Sequence, residues 1–153
     1  MNAAYLHISL VHAPIILTPL SVILLAIAHL GSSLAVVQVA LGILIAASLL
    51  ALCAFFLGEG AEEIVEHLPG IIESNIEAHE EGASISLGFT IAAGLLSLMS
   101  WVAISRGSAL ERSLLTITFV VAAASSVSLA YTAHLGGIIR HPEIASGFNN
   151  HHQ

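Results

Sequence analysis

No Asp, Glu, Lys or Arg occurs between Met1 and Leu57, a run of 57 residues without a formal charge. A domain dissolved in water cannot be built on such a stretch, because its surface would lack the charge that keeps globular proteins in solution. A bilayer accepts it readily, since a helix needs roughly 20 consecutive apolar residues to cross the hydrocarbon. Four segments meet that requirement, at about 10–30, 34–57, 83–105 and 113–137. Lipid offers no partner to an unpaired backbone group, so each segment must satisfy its own hydrogen bonds as a helix. The expectation is an all-α chain, a single transmembrane four-helix domain over 1–153 resident in a lipid bilayer. Short links such as "RGSALER" (106–112) give the spans an up-down order.

Several classes drop out early. Three arginines and no lysine exclude a nucleic-acid surface. Cys53 is the only cysteine, so no intramolecular disulfide forms, and its place inside a span suits a small apolar side chain. The opening "MNAAYLHISLVHAPI" lacks a basic leader region, which speaks against a cleaved signal peptide. Arg106 and Arg112 lie between spans 3 and 4, and Arg140 follows span 4. By the positive-inside rule this places both termini outside, in the periplasm if the membrane is a bacterial inner (plasma) membrane.

The charge is gathered in "GEGAEEIVEHLPGIIESNIEAHEE" (58–81), which holds eight of the ten acidic residues. Glu, Ala and Ile favour helix, and Pro69–Gly70 favours a turn. An extramembrane helical hairpin over 58–82 is therefore expected between spans 2 and 3. Its glutamates serve equally as a solvated cap.

The up-down order brings His12, Gly58, Gly60, His79 and His134 to one level at the face carrying this hairpin. His7 and His141 would lie roughly 8–10 Å further out at 1.5 Å per residue, with His67 near the turn. Only His29 points to the opposite face. Small residues run below the histidines at helical spacing, Ala122, Ser126 and Ala130 below His134, and Ala83, Ser86, Thr90 and Gly94 below His79. Such stripes let membrane helices approach closely, and they also leave room for a flat cofactor.

Ionisable groups at membrane depth are costly and mark function. Two imidazoles from different helices fill both axial positions of haem b and leave no substrate site, which suits electron transfer more than enzymatic turnover. The candidate iron ligands are His12, His79 and His134, with Gly58 and Gly60 admitting the macrocycle and Arg140 pairing a propionate. His7, His141, Glu59, Glu63 and His67 form a second tier. The carboxylates suit an alternative, a metal-binding or metal-handling protein for Zn, Cu, Mn or non-haem Fe. The repeated Glu-x-x-His pattern of di-iron bundles is absent. A third alternative is a cofactor-free accessory subunit of a larger membrane complex. The acidic cap suits a positively charged redox carrier, and homo-oligomers are compatible with the small-residue faces.

At "LHISLVHAPI", "HEEGA" and "AYTAHLGGIIRHPEI" the chain resembles a bacterial four-span membrane family known chiefly as a domain of unknown function. The positions that carry the resemblance are His7, Val11-His12-Ala13-Pro14, Gly58, His79, Gly136-Gly137 and His141. Ala13 stands where that family usually has Phe, and the glutamate-rich hairpin is longer than expected. The family is suspected of binding haem and some members are fused to Rieske iron–sulfur domains, so the resemblance implies electron transfer by analogy.

Overall fold

The computed structural model describes residues 2–31 and 33–141. They form four helices, α1 (Ala3–Gly31), α2 (Leu34–Val65), α3 (Glu73–Ser105) and α4 (Glu111–Arg140). All four are long and apolar enough to cross a membrane, as the chain's uncharged runs require. The all-helical, up-down bundle expected from the sequence is the architecture observed. α1 packs on α2, α2 on α3, α3 on α4, and α4 closes the ring against α1, which leaves α1 and α3 on one diagonal.

The helices outrun the expected spans at the hairpin end. α1 begins at Ala3 and α2 continues to Val65. α2 starts cleanly because the Ser33 side chain accepts a hydrogen bond from the Val36 amide. Pro69–Gly70 makes the turn expected of it, with Gly70 in the left-handed region at φ 84°. α1 stays helical through Pro14 and Pro19, a tolerance characteristic of membrane helices.

The buried residues define the bundle axis. In α1 they are Ala4, Pro14, Thr18, Ser21, Leu25 and Ala28, all on one line that steps alternately by three and four and also passes through His7 and Val11. In α4 the line is Thr118, Ala122, Ser125, Leu129 and Thr132. Alternating steps of three and four are the mark of helices that coil left-handedly about each other. A stripe of constant four-residue steps drifts off that seam. Ala122 is therefore buried, whereas Ala130 and His134 on the same expected stripe are exposed.

Larger apolar side chains fill the end of the bundle away from the hairpin. Leu25, Leu41 and Leu44 pack there with Ala40, Ala93 and Ala122, flanked by Phe119 and Val22. Where α2 meets α3, Gly94 lies so close to Ser48 that a Cβ on the glycine would collide with the serine side chain. Towards the hairpin most buried residues are small or carry hydroxyls, with Ile76 and Leu129 the larger ones, and His7 and His79 are half-buried among them.

Candidate functional site

The seams of all four helices reach one layer near the hairpin end, and that layer contains two histidines and two glycines. His7 of α1 and His79 of α3 meet across the diagonal, with ring centroids 6.5 Å apart and planes at 83°. Gly58 of α2 lies against the His7 ring, 3.6 Å from Cε1 to where a Cβ would stand. Gly136 of α4 lies against His79, where a Cβ would come within 3.1 Å of Cε1. The order across the bundle is Gly58, His7, His79, Gly136.

Each imidazole is held in the same way. His7 Nδ1 lies 2.8 Å from the carbonyl of Ala54, one turn before Gly58. His79 Nδ1 lies 3.1 Å from the carbonyl of Thr132, one turn before Gly136. A carbonyl can only accept, so Nδ1 carries a proton in both rings, and in the neutral ring Nε2 keeps its lone pair. A backbone carbonyl on Nδ1 is the usual orienting contact of a metal-binding imidazole, and it raises the basicity of Nε2.

The other expected ligands stand elsewhere. His12 is exposed and its Nδ1 donates back to Ile8 of its own helix at 2.6 Å. His134 is exposed on α4. The expected convergence of histidines from spans 1, 3 and 4 is therefore a convergence of spans 1 and 3 through His7, with α4 contributing a carbonyl and a glycine. His7 is level with His79 because α1 starts seven residues earlier than the apolar span suggests. Gly60 packs on Ala3, where a Cβ would come within 3.0 Å of the Ala3 Cβ, and lies outside the layer. Arg140 is exposed at the last turn of α4, and His141 caps that helix, its backbone N–H donating to the Gly137 carbonyl. The end of the last motif, beyond His141, lies outside the described residues.

The acidic hairpin has its own geometry. Glu59 and Glu63 are exposed, and His67 bonds to the Glu63 carbonyl at 2.9 Å and pairs with Glu66 at 3.3 Å. Glu62 and Glu66 are the residues that face α3, across an open cleft of about 360 Å³ also lined by Glu73 and Ile76. A hydrogen bond with Glu80 raises the Glu62 carboxyl above its ordinary range, and partial burial and the Glu80 charge act in the same direction. Among the described residues no group of three or more His, Cys, Asp or Glu is gathered for a metal ion.

The signal that would have found His7 is the alternating three-four seam. Extended towards the N-terminus it passes through His7 and misses His12 by one residue, a difference of about 100° around the helix. Compared with known protein families, with curated proteins and with solved structures, the chain matches none significantly.

Proposed function

We propose that the protein is a small membrane b-type cytochrome whose haem is held by His7 and His79. The observation that carries this reading is the pair of diagonal imidazoles, each with Nδ1 engaged by a carbonyl and Nε2 left as a donor. Two imidazoles bound to one metal through bonds of about 2 Å stand about 6 Å apart, centre to centre, close to the 6.5 Å between these rings. Gly58 and Gly136 carry no side chain at the level of the pair, which lets each imidazole lie against the neighbouring helix. Two protein donors suffice for haem, whereas a structural zinc or similar ion takes four ligands; this favours haem over the metal-handling alternative. Four positions on which the family resemblance rests, His7, Gly58, His79 and Gly136, are the four that meet here, so membership of that family is part of the proposal.

When bound, the haem supplies one-electron chemistry, and the chain's residues hold and orient it. Held by His7 and His79 together, the haem would leave no position open for a substrate and would serve transfer to a redox carrier or a larger membrane complex. The acidic hairpin above the layer would complement a basic partner. The arginine bias favours an orientation with that end outside, in a bacterial inner membrane. Arg140, exposed at the same end, remains the candidate propionate partner.

Protein purified without a histidine tag and supplemented with haemin is expected to show a Soret band and sharp α and β bands on dithionite reduction. Absence of any porphyrin absorbance after supplementation sinks the proposal. Stoichiometric Zn, Cu or Mn in its place transfers the two histidines to the metal-handling reading.

A further inference from the structure

The two imidazoles are held alike, but their surroundings differ. Next to His79, the Thr132 hydroxyl lies 2.8 Å from Ser86 Oγ, which in turn lies 2.6 Å from Ser128 Oγ. Thr132 thus serves twice, its carbonyl accepting from His79 and its hydroxyl joining the cluster. Next to His7 the corresponding positions are Pro14 on the α1 seam and Ala54 on α2, which carry no hydroxyl.

The cluster also differs from the other hydroxyl pairs of the α3–α4 seam. Thr90 donates to the Ser86 carbonyl, so it must accept from Ser125. Thr118 donates to the Leu114 carbonyl, so it must accept from Ser100. A hydroxyl has one proton to give, and these two pairs are fixed in direction. Among the described residues no such carbonyl anchors the hydroxyls of Ser86, Ser128 or Thr132. Their protons can run from Ser128 through Ser86 to Thr132 or the other way, with the same oxygens in place and no proton gained or lost.

We infer that the Ser86–Ser128–Thr132 cluster is a reorienting dipole that sets the reduction potential of a haem iron held at His79. This rests on the haem reading above. If the haem gave an electron to its redox carrier, the added positive charge at the iron would be answered by the hydroxyls of the cluster turning oxygen lone pairs towards it, which would stabilise the oxidised state. In a low-dielectric bundle such dipoles act more strongly than in water, and groups around a ligand are a recognised means of tuning a bound metal. The three residues are positioning residues; none touches the iron.

The test is a potentiometric titration of the haem-loaded protein. Ser86→Ala and Thr132→Val are expected to raise the midpoint potential with the Soret and α bands unchanged. Thr132→Ser, which keeps the hydroxyl, should restore the wild-type value. Ser128→Ala, at a half-buried position, gives a milder variant if the first two fold poorly. Ser100→Ala removes a hydroxyl from a direction-fixed pair and should leave the potential unmoved. An unchanged potential in Ser86→Ala and Ser128→Ala with haem bound overturns the inference alone, as does an equal shift in Ser100→Ala. Wild-type protein that binds no haem overturns the inference together with the reading beneath it.

Discussion

The two helical hairpins, α1–α2 and α3–α4, place the same device at the same level and build the seams below it from different chemistry. In each, a histidine on the first helix reaches a carbonyl on the second, one turn before a glycine. Counted along the seams from this device, Thr18 corresponds to Thr90, Ala47 to Ser125 and Ala40 to Thr118. The α3–α4 seam is joined by hydroxyl pairs, Thr90 with Ser125 and Ser100 with Thr118. Among the described residues the α1–α2 seam has no such pair: Ser21 donates to the Ala40 carbonyl at 2.6 Å, and Thr18 Oγ1 is buried without a partner. Ala47 stands where a partner like Ser125 would be. The site layer is what the two halves share, while the means of joining two helices in lipid is free to vary.

The comparison is broken most severely at the shared layer. His7→Ala and His79→Ala should each abolish the haem absorbance of reconstituted protein, while His12→Ala and His134→Ala retain it, read from reduced-minus-oxidised spectra. Retention by His7→Ala together with loss by His12→Ala would show that the hairpins do not share the site. Next in size is the junction between hairpins. Gly94→Ala drives a Cβ into Ser48 and should cost about 1–3 kcal/mol of bundle stability, measured by reversible unfolding in detergent.

The seams themselves give smaller effects. Thr90→Val leaves Ser125 unpaired and should destabilise by roughly 0.6 kcal/mol, the usual scale for an interhelical bond in lipid. Thr18→Val removes a hydroxyl that has no partner and should cost nothing or stabilise slightly. Ala47→Ser tests the correspondence directly, with an expected gain of about 0.6 kcal/mol if it gives Thr18 a partner.

The smallest effect concerns the link between the hairpins, outside the spans. The folded pKa of Glu62 lies above its ordinary value, so the native state binds more protons than the unfolded one through that window. Its contribution to closing the hairpin is present at pH below the ordinary carboxylate range and is lost as pH rises through the raised value. Amide protection factors at the end of α2 should fall across that interval in wild type and stay flat in Glu62→Gln.

Much of this was legible in the residues. The uncharged run and four apolar segments required membrane-crossing helices, because backbone groups in lipid must pair within their own segment. Pro69–Gly70 announced the turn, and His79, Gly58 and the histidine-rich end were recognisable as candidates. The pairing of His79 was harder to read, since His7 and His12 are both plausible by distance from the apolar boundary. The hydroxyl stripe below His79 was visible, whereas Thr132 belongs to a seam that constant four-residue steps from His134 do not trace, and Ser128 lies beside that seam.

Sequence by itself determined the solvent, the number of crossings and the end at which the histidines gather, since hydropathy and helix length depend only on local composition. Tertiary structure alone decided which imidazoles meet. Facing across a diagonal depends on how far each helix slides and turns against its neighbours, and one residue of shift carries a side chain about 100° around the axis. That rotation separates His7, aimed at His79, from His12, bonded to its own helix.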